Sequence, residues 1–164
     1  MKRKRIEKLI ARLERGLNKS SEFLDALDHD GWQEPVEGES DGWTVKDLVA
    51  HFIVSEEHLL MIAKDIVAGG EGAPEDIDID VFNEDQIARQ PDRTPDELQA
   101  HLGDVRTTTI AWVAEQDDET LDRVGRHPTL GDSSVETIIF SIYAHQLLHM
   151  REMTLKKLNS KQVT

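Results

Sequence analysis

The chain has 164 residues, no cysteine, and 33 Asp plus Glu against 19 Lys plus Arg, for a formal net charge of −14. One core commonly serves about 100–200 residues, so a single domain over residues 1–164 is expected, and 38% apolar residues are enough to pack it. The charge argues against nucleic acid, whose binding rests on Lys and Arg meeting phosphates, and the absence of cysteine excludes disulfides, thiolate metal sites and cysteine nucleophiles.

The one basic run, Lys2-Arg3-Lys4-Arg5, is followed by spaced rather than continuous apolar residues, so no signal peptide is expected. No stretch approaches the roughly 18 apolar residues of a membrane span, and a cytoplasmic location is the expectation. Ile6, Ile10, Leu13, Leu17, Ser20, Leu24 and Leu27 then recur at alternating steps of four and three, which is one stripe of a helix. Residues 29–42, with Gly31, Pro35, Gly38 and Gly42, read as a loop.

Thr44 caps a second helix, with Asp47 at the third position of the first turn and Trp43 and Leu48 placed as a hydrophobic staple. Its stripe is Val45, Leu48, Phe52, Ser55, Leu59, Ile62 and Ile66, and Gly69-Gly70 ends it. Residues 69–82 form a long acidic connector, with a short helix expected over 82–90. Thr94-Pro95-Asp96-Glu97 opens the third long helix, whose stripe is Leu98, Leu102, Val105, Thr109 and Trp112. Asp117-Asp118 begins its exit, and residues 125–132 read as another loop. Ser133 and Glu136 make a capping box for a last helix running toward Leu158. The only alternating run is Ile77-Asp78-Ile79-Asp80-Val81, so the pattern describes an all-α four-helix bundle.

The last helix continues its core line Val135, Ile138, Ile142 into His145 and His149. Two imidazoles one turn apart on one face can point at a single ion. For such a pair taken alone, two satisfied core histidines are the plainer account. The second helix offers His51, at the border of its stripe, and His58 two turns on. Two turns span about 10.5 Å, so only one can join a compact site, and depth alone does not choose. His29 and His127 fall in expected loops and His101 lies off its helix's stripe. Arg89, Arg93 and Arg106 could meet an anion, but solvated helix faces account for them more simply. Tyr143 should point away from His145, and no nucleophile elbow or phosphate loop is present.

Trp43-Thr44-Val45-Lys46-Asp47-Leu48-Val49-Ala50-His51 resembles the entry to helix two in the DinB/YfiT-like superfamily, and His145-x3-His149 is similar to that family's second signature. Asp80-Val81-Phe82-Asn83 resembles a stretch after helix two in maleylpyruvate-isomerase-like relatives. The motifs are short, but they fall in order across most of the chain. The resemblance implies an up-down-down-up bundle and one divalent ion on three histidines. Carried over position by position, these are His51, His145 and His149, with His51 preferred over His58. It also gives Asn83 a place on the pocket wall, although surface capping accounts for Asn83 equally well. Bundles of this family commonly pair, and Trp112, Phe140 and Leu147 look surplus to one core, so a homodimer is expected.

Three neutral imidazoles suit zinc, nickel and similar divalent ions. Zinc on three protein ligands keeps a fourth position open, where a bound water can have its pKa lowered to about 7. A thiol there would be held as thiolate. The family includes enzymes that use a low-molecular-weight thiol for isomerisation or transfer, and members without an assigned reaction. The expectation is thus a metal-dependent enzyme acting on a small molecule, with a thiol cosubstrate. Its rival is a binding or stress-response protein whose ion is structural or vestigial. A DNA-handling role, raised only by the family's name, is opposed by the charge.

Overall fold

A computed structural model describes residues 3–161 apart from 39 and 41, with side chains described as far as residue 154. Lys2, part of the basic run, and the Leu158 side chain lie outside the described residues. Four long helices dominate: α1 (Lys4–Asp25), α3 (Val45–Val67), α5 (Pro95–Ala114) and α7 (Val135–Lys161). Three short ones lie between them: α2 (His29–Gln33), α4 (Ile79–Ala88) and α6 (Asp118–Leu121).

Local chemistry sets the starts of α3 and α5. Thr44 Oγ1 accepts from Asp47 N, and the Asp47 carboxylate accepts from Thr44 N at 2.9 Å. Thr94 and Glu97 make the same reciprocal box, with Pro95 first in the helix. A missing cap of this kind costs about 1 kcal/mol.

Named contacts fix the directions. Arg5 pairs with Glu136 at 3.0 Å and Gln146 bonds Ser20 at 2.7 Å, so α1 and α7 run parallel. Lys46 meets Asp92 just before α5 and Glu56 meets Arg106, so α3 and α5 also run parallel. His51 faces His145 and His149 while Leu59 shares a cavity with Ser141, so α3 and α7 are antiparallel. The result is the up-down-down-up bundle. Its core is two apolar clusters, one around Leu13, Ile62 and Ile139, the other around Leu24, Leu48 and Leu102.

Several local expectations need correction. The stripe of α1 buries Leu9 and Gly16, while Ile10 and Leu17 are only half-buried. The 29–42 loop contains α2, which puts Trp32 into the core, and Val36 N donates to Trp43 O at 2.7 Å. The short connector helix starts at Ile79, because Asp78 Oδ1 accepts from Val81 N at 3.1 Å. Residues read as the 125–132 loop form most of a hairpin, β1 (Val124–His127) antiparallel to β2 (Gly131–Ser134). Gly72 bridges to Arg126, where any Cβ would meet the Arg126 backbone nitrogen at 2.8 Å. The cap of α7 is Ser134, whose Oγ accepts from Thr137 N at 3.2 Å; Ser133 instead donates to Gly131 O within the hairpin. Among the described residues no helix is long and apolar enough to cross a membrane.

Candidate metal centre

His51 lies two turns into α3, and the cap at Thr44 sets the rotation that turns it inward. His145 and His149 lie one turn apart on α7. Because α3 and α7 are antiparallel neighbours, the three rings meet. His51 Nε2 is 3.0 Å from His145 Nε2, which is 3.0 Å from His149 Nε2. The rings stand edge to face, with centroids 4.5–5.3 Å apart and interplanar angles of 68–86°. His51 and His149 are buried and His145 is half-buried.

The surroundings hold these rings in place. His149 Nδ1 lies 3.0 Å from Glu152 Oε2 and 3.1 Å from Ser40 Oγ. His51 Nδ1 lies 3.3 Å from Ser55 Oγ, and Trp43 packs on its ring at 5.0 Å between centroids. A carboxylate or hydroxyl taking the Nδ1 proton leaves the Nε2 lone pair facing inward, the usual outer support of a metal-bound imidazole. Burial, then the other two histidines, push His51 from 6.5 down to about 2. Burial, then His149 and His127, push His145 down to about 3. Both rings are therefore neutral at pH 7, as ligation requires.

The donor set fits one divalent ion. Tetrahedral zinc with Zn–N bonds of about 2.0–2.1 Å places ligand nitrogens about 3.3 Å apart. The two 3.0 Å separations about His145 would open slightly on binding, and all three ligand atoms already lie within 4.8 Å of one another. Among the described residues this is the one His/Cys/Asp/Glu group whose ligand atoms lie close enough, within 4.8 Å, to hold an ion.

The triad forms the floor of a cavity of about 710 Å³. Asn83 lines it from α4, half-buried, together with Asp80 and Glu84. His58 lines it too, stacked on Phe82 with centroids 4.4 Å apart. His127, expected in a loop, sits in the hairpin wall. Its Nδ1 accepts from Thr129 N and Leu130 N at 3.1 Å, leaving Nε2–H to donate to Ser141 Oγ at 3.0 Å. His29 is exposed on α2, His101 lies 3.7 Å from Glu57, and Tyr143 turns toward Gly16 on α1. Arg89 and Arg93 stay at the surface with Asp85 and Gln90.

Arg106 overturns the solvated-face reading. It is 1% exposed and forms a bidentate pair with Glu56 at 2.8 and 2.9 Å. It also donates to Gln146 Oε1 at 2.8 Å and to the Leu13 carbonyl. The sequence held one unused signal for the supports, Glu152 three residues after His149. Ser40, His127 and the Arg106 network carried none, because they arrive through tertiary contacts.

Fold and site together define a helical bundle that opens a three-histidine constellation to a cavity. The model of the DinB superfamily matches residues 12–153, and the chain belongs to that superfamily. Its fold is similar to that of the mycothiol-dependent maleylpyruvate isomerase, with TM-score 0.74 and 16% identity over 90% of this chain and 60% of that one. A histidine-to-alanine mutant of that isomerase matches with TM-score 0.73, the same identity and the same coverage. YfiT from Bacillus subtilis, described as a probable metal-dependent hydrolase with an unusual four-helix bundle topology, matches with TM-score 0.70 and 20% identity over 93% of this chain and 87% of that one. At such identities the likeness is one of fold. The chain thus spans only 60% of the isomerase's length. No curated protein matches the sequence.

Proposed function

We propose that the protein is a metal-dependent enzyme that holds one divalent ion, zinc or nickel, on His51, His145 and His149. It acts on a small molecule and uses a low-molecular-weight thiol for transfer or isomerisation. The observation that carries the reading is the convergence of three Nε2 atoms at the floor of an accessible cavity. A purely structural site would be closed by protein ligands, whereas a catalytic one keeps a position open.

When bound, the ion supplies a Lewis acid that polarises an oxygen or holds a thiol as thiolate. The chain's own groups do the rest. Ser40, Ser55 and Glu152 orient the imidazoles. Trp43, at the cavity wall, and Phe52 pack against the rings of His51 and His149. Asn83 offers an amide to a substrate atom from the opposite wall. The thiol preference is supported by the description of the isomerase as mycothiol-dependent, and a metal role by the description of YfiT.

The same reading makes residues 1–164 one domain, located in the cytoplasm and paired as a homodimer. Trp112 and Phe140 pack against the core, so the pairing rests on a groove of α1 and α7 where Phe23, Ala26, Leu147 and Met150 are flanked by Lys19, Glu22, Arg151 and Thr154.

Elemental analysis of untagged protein should find about one divalent ion per chain, the stoichiometry of a single three-histidine site. His145→Ala should lose it. Full metal content in His145→Ala would overturn the assignment.

A further inference from the structure

The cavity above the triad is chemically lopsided. Its floor is imidazole, and the hairpin side is uncharged in side-chain type apart from His127, with Pro128, Thr129 and Leu130 beside Leu148 of α7. The third side is the face of α4 carrying Asp80, Asn83 and Glu84. These residues sit at i, i+3 and i+4, which puts them on one face of the helix. Both carboxylates line the cavity at its exposed mouth. No Lys or Arg is among the described lining residues. Neither Asp80 nor Glu84 takes part in an ion pair among the described residues.

The two non-ligand imidazoles in the wall do not offset this charge. Burial pushes both His58 and His127 below the ordinary 6.5. His127 is also held with Nδ1 as an acceptor of two backbone N–H groups. Helix stability explains only part of the acidity. Asp78 caps α4, and Asp80 in the first turn favours the helix dipole. Glu84 lies past the first turn, beyond that effect, yet still faces the cavity.

From the metal-centre reading, on which this step rests, we propose that the occupant of the cavity is a bifunctional small molecule. One end donates to the ion on the triad, and the other, a protonated amine or similar cation, is read by Asp80 and Glu84 with Asn83 between them. The ion's positive charge is met at the floor by the donor end, so the carboxylates act on the far end alone. A second carboxylate at that end would face two like charges, with no Lys or Arg among the described lining residues to receive it. A cavity of 710 Å³ is within the range for a metabolite-sized ligand.

The test uses cobalt(II)-loaded full-length protein, whose visible bands report the ion's coordination and whose sulfur-to-cobalt charge-transfer band reports thiolate binding. Cysteamine, 2-mercaptoethanol and mercaptoacetate are titrated separately; they carry an ammonium, a hydroxyl and a carboxylate beside a common thiol. Because the thiols differ in acidity, the deciding quantity is the ratio of cysteamine to mercaptoacetate affinity in wild type against Asp80→Asn/Glu84→Gln. That ratio should fall about five-fold or more in the variant, as expected for losing two partly exposed charge contacts. Relative to 2-mercaptoethanol, cysteamine should weaken and mercaptoacetate should tighten. An unchanged ratio, with normal cobalt bands in both proteins, would overturn this inference alone. Failure of wild type to show coordinated cobalt would overturn the metal-centre reading and this one with it.

Discussion

The Arg106–Glu56 pair is the most exacting test of the packing argument, because it puts two charges in the centre of the bundle. Each side chain is 1% exposed, and the guanidinium joins all four long helices: Leu13 O on α1, Glu56 on α3, its own α5 and Gln146 on α7. Gln146 passes the chain on to Ser20, whose hydroxyl donates to Gly16 O at 3.0 Å. Arg106→Met removes the charge with little change in length and leaves the Glu56 carboxylate buried without its partner. Breaking a buried pair from one side costs about 3–5 kcal/mol. For a domain of this size that is a fall in Tm of about 6–20 °C. Arg106→Met/Glu56→Leu removes the stranded charge as well. Gln146 and Leu13 lose the same donor in both variants, so the difference between them isolates the carboxylate. The double variant should therefore recover at least about 2 kcal/mol of the loss. Urea unfolding at pH 7 measures all three proteins on one scale. A single-variant loss under about 1 kcal/mol, or no recovery in the double variant, would refute the claim that this pair is desolvated and mutually dependent.

His51 and His145 have folded-state pKa values of about 2 and 3 against 6.5. A lowered histidine value means the unfolded chain binds the extra protons, so metal-free stability is full above pH 6.5 and is lost as pH falls below it. The slope is about 1.4 kcal/mol per pH unit for each such group. Thermal melts of metal-free protein from pH 7.5 to 4.5 should show this dependence, and His51→Gln/His145→Gln should flatten it; parallel curves would contradict the reading. Gly125→Ala should cost about 1–3 kcal/mol, because its Cβ would lie 2.6 Å from Ile66 Cδ1 and 3.1 Å from Glu71 O; an unchanged urea midpoint would show that the hairpin does not press on α3 there. Light scattering at micromolar concentration should give twice the 18.6 kDa chain mass, and Leu147→Glu should return it to 18.6 kDa; a wild-type monomer would exclude the homodimer.

How much was legible follows from how local each feature is. The capping boxes at Thr44 and Thr94, the stripe of α3 and that of α5 as far as Thr109 were readable because they depend on residues within one helix; beyond Thr109 the buried position is Val113, with Trp112 half-buried. The alignment of His145 with His149 was readable for the same reason. The hairpin was not, since β1 and β2 have four residues each, contain glycine, and lack an alternating apolar pattern. Its position is set instead by Ala73 N donating to Arg126 O and Arg126 N donating to Glu71 O, both at 2.8 Å. Arg106 was misread for a related reason. Helical periodicity treats a charged residue as a marker of solvent, and a buried arginine with a bidentate carboxylate 50 residues away looks identical in sequence. The choice of His51 over His58 came from the family resemblance. In the structure His51 faces His145 and His149, while His58 is two turns further along α3 and stacks on Phe82 of α4.

The topology explains why a bundle with such regular helices has a cavity at all. In an up-down-up-down bundle, short loops would suffice and both ends would be closed by turns. Here α3 and α5 run parallel, so the chain must return along the bundle between Val67 and Pro95. A 23-residue helix is about 34 Å long, and a tight turn cannot span that distance. The return therefore carries structure of its own, and α4 is the part that passes the α3–α7 face where the triad opens. Phe82 on this crossover packs against His58, while Asp80, Asn83 and Glu84 form a wall that the four long helices do not provide. The three histidines of the triad thus sit on two antiparallel core helices. Asp80, Asn83 and Glu84, which face them across the cavity, sit on a short helix with no fully buried residue of its own. Changes on α4 should therefore alter what the cavity accepts at little cost to the fold, whereas changes at His51, His145 or His149 remove the ligand set itself.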